Sequence, residues 1–343
     1  MIVPNTWYVV EQVLLWNFFF CRVSLGKASV GIGNLDYDNR TIRADLMTSV
    51  AVPNLYFALI LFLCAGLFGC MPNAIKEQQA FNQKHLEDNQ RIQHIMVSDR
   101  GSPVHAALVL ASVTESRSKA VVFIHGTPGD WQNAGRYLLD ERLLESATVV
   151  SVDRPGWGES SVSDPEVSLL FREQAIGIAA VLDALRSEMG IGHVILAGHS
   201  LGASIAPRVA MDFPELVDGM LLMAGSLDPQ RGGPRWYNKF AALPGLSFIL
   251  PEALNRSNRE IMSLRKNLLS MKAGWATVSF PVQVIQGMED KLVYPQNIDF
   301  IEAQLPNGNL TSVRLPNAGH LINLEQRSLV VTTLEHMLRQ ASL

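Results

Sequence analysis

The apolar run His193-Val194-Ile195-Leu196-Ala197 leads without a break into Gly198-His199-Ser200-Leu201-Gly202. A short apolar run bounded by glycine reads as a buried strand. A strand entering Gly-x-Ser-x-Gly reads as the sharp strand-to-helix turn that lifts a serine hydroxyl above a sheet. Small residues flank such a serine because side chains there collide across the turn, and the serine itself is forced into strained backbone. A plain glycine-rich turn with a solvated serine fits these five residues equally well, so the rest of the chain must discriminate.

Candidate partners for Ser200 follow downstream. Pro281 to Gly287 is a second apolar run, and it opens into Met288-Glu289-Asp290-Lys291-Leu292-Val293, which puts a carboxylate at a strand's carboxyl end. Leu310 to Leu315 alternates as a strand and leads through Pro316-Asn317-Ala318-Gly319 to His320. The order Ser200, Asp290, His320 is that of a hydrolase relay, in which imidazole takes the serine proton and the carboxylate fixes its tautomer. Asp228, after the run 219–224, is the alternative acid. Asp290 is preferred because the Gly-x-x-Asp-x-x-Val spacing sets its carboxyl over the sheet end, next to the His320 loop.

Lys119 to Ile124 reads as a strand ending in His125-Gly126-Thr127-Pro128-Gly129, whose small residues let the backbone approach Ser200. The main-chain N–H of Thr127, with that of Leu201, then suits an oxyanion hole. Thr148 to Val152 ends in Asp153-Arg154-Pro155-Gly156-Trp157-Gly158-Glu159-Ser160. That loop reads as architecture, with Asp153 and Arg154 orienting its neighbours. His199 points away from the serine hydroxyl by alternation, which suits an internal hydrogen bond.

These five motifs, in their order along the chain, resemble the α/β-hydrolase superfamily over about residues 91–343. The resemblance implies an α/β fold with an eight-stranded, mostly parallel sheet flanked by helices and a small helical lid after strand six. It also implies nucleophile Ser200, acid Asp290, base His320 and oxyanion donors Thr127 and Leu201. Relatives that open epoxides or displace halide carry a carboxylate where this chain has Ser200, which argues against both chemistries. Esterase, lipase, thioesterase, carbon–carbon hydrolase, peptidase, amidase and cofactor-free haloperoxidase-like activities stay open, because a shared fold does not choose among them.

Strands are expected at about 92–97, 104–111, 119–124, 148–152, 193–198, 219–224, 281–287 and 310–315, the first two as an antiparallel hairpin. Helices are expected at roughly 131–146, 168–189, 201–213, 296–304 and 323–341. The interval 228–280 lacks strand signals and reads as the lid. A helix over Ser257 to Ala273 is expected in it, and Trp236, Tyr237, Phe240, Leu246, Phe248, Ile249 and Leu250 are candidate walls of an acyl pocket.

The N-terminal ninety residues differ in character. Leu55 to Met71 has no charged residue and ends in Leu67-Phe68-Gly69-Cys70, which resembles a bacterial lipobox. Residues 47–70 are therefore expected to be a signal with Cys70 lipidated, or else an uncleaved membrane anchor. Residues 1–46 read as an extra or non-native extension, and 71–90 as a polar tether. Lipid attachment without an acidic residue after Cys70 implies the outer membrane, facing the periplasm; an uncleaved helix implies the inner membrane.

A net charge of −4 without a basic cluster argues against nucleic acid as a partner. All three cysteines, Cys21, Cys64 and Cys70, precede the catalytic region, so no disulfide or thiolate metal site is needed there. The histidines lack ligand spacing, so neither metal nor other cofactor is expected. The sequence thus predicts a membrane-tethered serine hydrolase for a small or medium acyl ester, with a thioesterase or amidase as alternative. A catalytically silent envelope binding protein is the alternative from another class.

Overall fold

Fully buried five- and six-residue apolar runs, each followed by an amphipathic helix, dictate a parallel sheet covered on both faces. The computed structural model, which describes residues 72–99, 102–247, 250–305 and 308–340, has that architecture. The strands are β1 (Gln93–Asp99), β2 (Ser102–Val109), β3 (Lys119–Ile124), β4 (Thr148–Val152), β5 (His193–His199), β6 (Gly219–Met223), β7 (Val282–Gly287) and β8 (Leu310–Leu315). They form one sheet in the order β1-β2-β4-β3-β5-β6-β7-β8. β1–β2 and β2–β4 pair antiparallel, and every later pair is parallel. β5 therefore lies between β3 and β6, which brings the ends of all three together.

The helices are α1 (Asn73–His85), α2 (Gly135–Leu138), α3 (Glu141–Ser146), α4 (Phe171–Met189), α5 (Leu201–Asp212), α6 (Trp236–Ala241), α7 (Pro244–Ser247), α8 (Glu252–Met271), α9 (Asn297–Gln304), α10 (Ile322–Glu325) and α11 (Arg327–Gln340). Alternation divides the strand side chains between two cores. Val122, Ile124, Val194 and Leu196 join α4 and α5 on one face, while Val121, Phe123, Ile195 and Ala197 join α2, α3 and α11 on the other. Each of the larger of these side chains, Val, Leu, Ile and Phe, contributes about 1.5–3 kcal/mol on full burial. β8 is one of the two edge strands, with β1 at the other end, and its pattern of burial is correspondingly interrupted.

Two expected helices are each divided into shorter elements, the first of them by a side-chain cap. The stretch 131–146 divides into a 3-10 turn over Trp131–Ala134, α2 and α3. Asp130 accepts from the Gln132 N–H, and Asp140 from those of Arg142 and Leu143, so each carboxylate starts a new helix. The stretch 323–341 also divides, at Gln326, without a side-chain cap on α10.

Of the stretch 71–90 expected as a polar tether, the described residues 72–90 are not a solvated tether. From Asn73 to His85 they form α1, and Gln78, Asn82 and Leu86 recur on one helical face. Both amides donate to the carbonyl of Gln132, at 3.3 and 3.0 Å, and Leu86 is buried in the second core. The polarity of this segment thus serves docking on a backbone carbonyl. Residues 1–71, with the proposed signal and Cys70, lie outside the described residues. No helix among the described residues is long and apolar enough to cross a membrane.

Candidate active site

Ser200 stands where β5 turns into α5, with φ 55° and ψ −120°. A non-glycine residue held there stores about 1–3 kcal/mol of strain. Its N–H donates to Met223 O at the end of β6, 2.9 Å away. The flanking glycines are required by close approach: a β carbon on Gly198 would lie 2.6 Å from the backbone of Ala203, and one on Gly202 2.1 Å from Ile124 O. The turn therefore locks onto β3 and onto its own helix.

His320 bridges the serine and the carboxylate. Its Nε2 is 2.9 Å from Ser200 Oγ and its Nδ1 is 2.7 Å from Asp290 Oδ2. Asp290 Oδ1 accepts the main-chain N–H groups of Leu292 and Val293, at 2.8 and 2.9 Å, and Gln286 Nε2 donates to Oδ2 at 3.3 Å. Burial pushes the Asp290 carboxyl up, but the charge and hydrogen bond of His320, with the Val293 and Leu292 N–H groups, hold it below the ordinary range. An ionised carboxylate on Nδ1 keeps the imidazole proton there and leaves the Nε2 lone pair facing the serine hydroxyl. Asp228 is engaged elsewhere: it accepts from Gln230 N–H at 2.8 Å and faces Arg231 at 3.4 Å.

The loop after β3 passes over the serine. A β carbon on Gly126 would lie 3.0 Å from Ser200 Cβ and 3.6 Å from Oγ, so the residue before Thr127 packs directly on the Ser200 side chain. Opposite it, Leu201 is the first residue of α5, where main-chain N–H groups lack an intrahelical acceptor and the helix dipole is positive. A tetrahedral oxyanion at an attacked carbonyl suits that pair of positions.

Asp153 and Arg154 bind loops together. Asp153 accepts from the N–H groups of Trp131 and Glu159 and from His105 Nδ1, at 2.7, 2.8 and 2.7 Å. Arg154 is fully buried; it donates to the carbonyls of His125 and Gly126 and pairs with Glu260 at 2.7 Å. Sequence reasoning missed Glu260, which sits in the charged stretch Arg256-Ser257-Asn258-Arg259-Glu260. Its signal was spacing: Arg256, Glu260, Leu264 and Leu268 fall on one face of α8, and the last two are apolar and buried.

The segment after β6 is helical, as expected, and α8 begins at Glu252, earlier than the expected Ser257. It spans the site from both sides. Arg235, before α6, donates to Lys291 O and Leu292 O in the Asp290 loop, while Glu260 on α8 holds Arg154 in the loop after β4. Trp236 and Phe240 are 77% and 48% exposed, so they stand in solvent rather than wall an enclosed pocket. Tyr237 and Leu250 are half-buried. Phe248, Ile249 and the Leu246 side chain lie outside what the structure describes.

His94, His105 and Glu159 bring ligand atoms within 4.8 Å of one another. However, His94 Nδ1 and His105 Nε2 face each other at 2.9 Å, in rings inclined by only 16°. A single hydrogen fills that gap, whereas a metal at about 2.0–2.1 Å from each nitrogen needs the lone pairs to converge on a third point. Asp153 on His105 Nδ1 completes a relay of hydrogen bonds, which is a structural tie between the hairpin and β4.

A model of the alpha/beta hydrolase family matches residues 121–333. The 2-hydroxy-6-oxononadienedioate/2-hydroxy-6-oxononatrienedioate hydrolase of Burkholderia vietnamiensis is 35% identical over 148 residues, 42% of this chain and 46% of that protein. The enzyme of the same name from Cupriavidus pinatubonensis is 33% identical over 36% of this chain and 40% of its own. The chain thus covers less than half the length of these curated relatives. Among solved structures, an esterase of Pyrococcus furiosus superposes with a TM-score of 0.57 at 16% identity, covering 73% of this chain and 90% of that one. An epoxide hydrolase of Vigna radiata gives 0.56 at 18%, over 73% and 98%.

Proposed function

Since the chain belongs to the alpha/beta hydrolase family, we propose that it is a serine hydrolase that cleaves a small or medium acyl ester through an acyl-enzyme. The observation that carries this reading is the unbroken line of hydrogen bonds from Ser200 Oγ through His320 to Asp290. Ser200 Oγ attacks the ester carbonyl while its proton passes to His320 Nε2, and the carbonyl electron pair moves onto oxygen, held by the N–H groups of Thr127 and Leu201. Collapse of this intermediate expels the alcohol, which takes the proton from Nε2. Water, deprotonated by the same nitrogen, then releases the acid and restores the serine.

The test is turnover of matched oxygen ester, thioester and amide substrates of graded acyl length by the full-length protein and Ser200→Ala. Ester hydrolysis that Ser200→Ala abolishes supports the reading; preference for the thioester or amide selects that alternative, and no turnover across the panel favours a silent binding protein. A second reading, hydrolysis of an unsaturated oxo-dicarboxylate, draws on the name of the Burkholderia relative. Against it, buried Arg154, a cation suited to a substrate carboxylate, is already paired with Glu260.

The reading extends to location, with Cys70 lipidated and the enzyme tethered to the bacterial envelope, on the outer membrane facing the periplasm. Incorporation of a fatty-acid analogue that Cys70→Ser removes tests it, and a protein that partitions with inner membranes without lipid points to an uncleaved helix.

A further inference from the structure

The oxyanion donor assigned to Thr127 belongs to the peptide plane whose carbonyl is that of Gly126. In a trans amide the N–H and C=O point in opposite directions, so whatever fixes the Gly126 oxygen also aims the Thr127 hydrogen. That oxygen has two donors. Arg154 Nη2 and His125 Nδ1 each lie 2.8 Å from it. The His125 proton is on Nδ1, because Nε2 accepts the Arg154 main-chain N–H at 3.1 Å. Arg154 Nε also donates to His125 O at 3.1 Å, so one guanidinium grips two successive carbonyls of the loop.

Arg154 is itself held from the other side. Glu260 Oε1 accepts from Nη1 at 2.7 Å and Oε2 from Nη2 at 3.2 Å, and Gln174 Oε1 takes Nη1 at 3.2 Å. Trp157 Nε1 donates to Glu260 Oε1 at 3.0 Å. The guanidinium carbons of Arg154 and Arg256 lie 5.6 and 5.5 Å from the Trp157 ring. Arg256, also buried, donates instead to Pro155 O and Ser168 Oγ, both at 2.8 Å, so of the two guanidinium groups that of Arg154 alone reaches the Gly126 carbonyl. A cation on an amide oxygen polarises the amide and strengthens its N–H as a donor.

We propose that Arg154, anchored by Glu260 of α8, is a positioning residue of the oxyanion hole that clamps the Gly126 carbonyl and so aims and polarises the Thr127 N–H. This rests on the serine-hydrolase reading above. Stability alone is a poor account of the pair, since buried ion pairs are commonly replaced by apolar side chains without loss. It also follows that the hole is set by the docking of α8, which links the segment covering the site to the chemistry beneath it.

The test uses the full-length protein and two variants: Arg154→Lys, which leaves a cation for Glu260 but cannot fork across both carbonyls, and Arg154→Met with Glu260→Leu, which removes both charges together. Melting temperature, kcat and KM for one ester, and affinity for a trifluoromethyl ketone that forms a hemiketal oxyanion on the serine are measured for each. Loss of a whole oxyanion donor costs about 10²–10³ in kcat, so misaiming one is expected to lower kcat about 10–100-fold in whichever variant melts near the wild type. KM is expected to change little, and ketone affinity to fall by the same factor as kcat. A folded variant with wild-type kcat and ketone affinity overturns the proposal, as does loss of activity that tracks only unfolding in both variants. Wild-type protein without Ser200-dependent turnover overturns the serine-hydrolase reading and this proposal with it.

Discussion

His199 donates its Nε2 hydrogen to the main-chain oxygen of His320 across 2.9 Å, with the two rings 5.0 Å apart. The residue beside the serine therefore fixes the backbone of the residue assigned to take the serine's proton. His199→Phe is expected to keep the ring's volume, leave that carbonyl without its donor and reduce kcat/KM about tenfold, equivalent to about 1.4 kcal/mol. His199→Gln, which retains a donor, is expected to recover part of it. Ester kinetics on the three proteins check this.

The same histidine makes stability depend on pH. Burial, and next the nearby His320, lower its pKa to about 3. A depressed histidine stays neutral in the folded chain while the unfolded chain takes up a proton below about 6.5, so its contribution is complete above 6.5 and is lost as pH falls toward 3. Buried His125 acts in the same direction. Urea unfolding at pH 7.5, 6.5 and 5.5 is expected to show falling stability in the wild type and a shallower fall in His199→Gln.

Gly202→Ala tests the close approach of the Ser200 turn to β3. Its β carbon would meet the carbonyl oxygens of Ile124 and His125 at 2.1 and 2.6 Å, and both are backbone atoms. Overpacking of this kind costs about 1–3 kcal/mol. It also displaces the loop that carries Gly126 and Thr127, so serine reactivity is expected to fall more than stability. Melting curves and labelling rates measured side by side separate the two effects.

Leu86→Ala tests the docking of α1. Leu86 is 6% exposed and belongs to the second core, so truncation is expected to cost about 2–5 kcal/mol. A loss under 0.5 kcal/mol in urea unfolding would instead support residues 71–90 as a loose tether.

Most of the sheet was legible because its central strands are short, apolar and buried on both faces; β3 and β4 fall at the expected residues, and the partly exposed edge strand β8 does so through its alternation. The order of Ser200, Asp290 and His320 was legible for the same reason, since each follows a strand end and parallel strands bring their carboxyl ends together. What periodicity did not reveal depended on partners distant in sequence. The amides of α1 resemble solvent-facing polarity until Gln132 O is found opposite them, and Glu260 reads as a surface charge until Arg154, 106 residues earlier, is seen to meet it. Asp140 broke an expected helix because its cap competes locally with an apolar pattern that runs through it.

The central claim is that Ser200 is an activated nucleophile. The measurement is fluorophosphonate labelling of the intact protein, with the adduct mapped by mass spectrometry and with Ser200→Ala and Asp290→Asn alongside. The account predicts a single adduct on Ser200, absent in Ser200→Ala and formed at least a hundredfold more slowly in Asp290→Asn, where the imidazole tautomer is no longer fixed. An unlabelled Ser200, or labelling indifferent to Asp290→Asn, would contradict it.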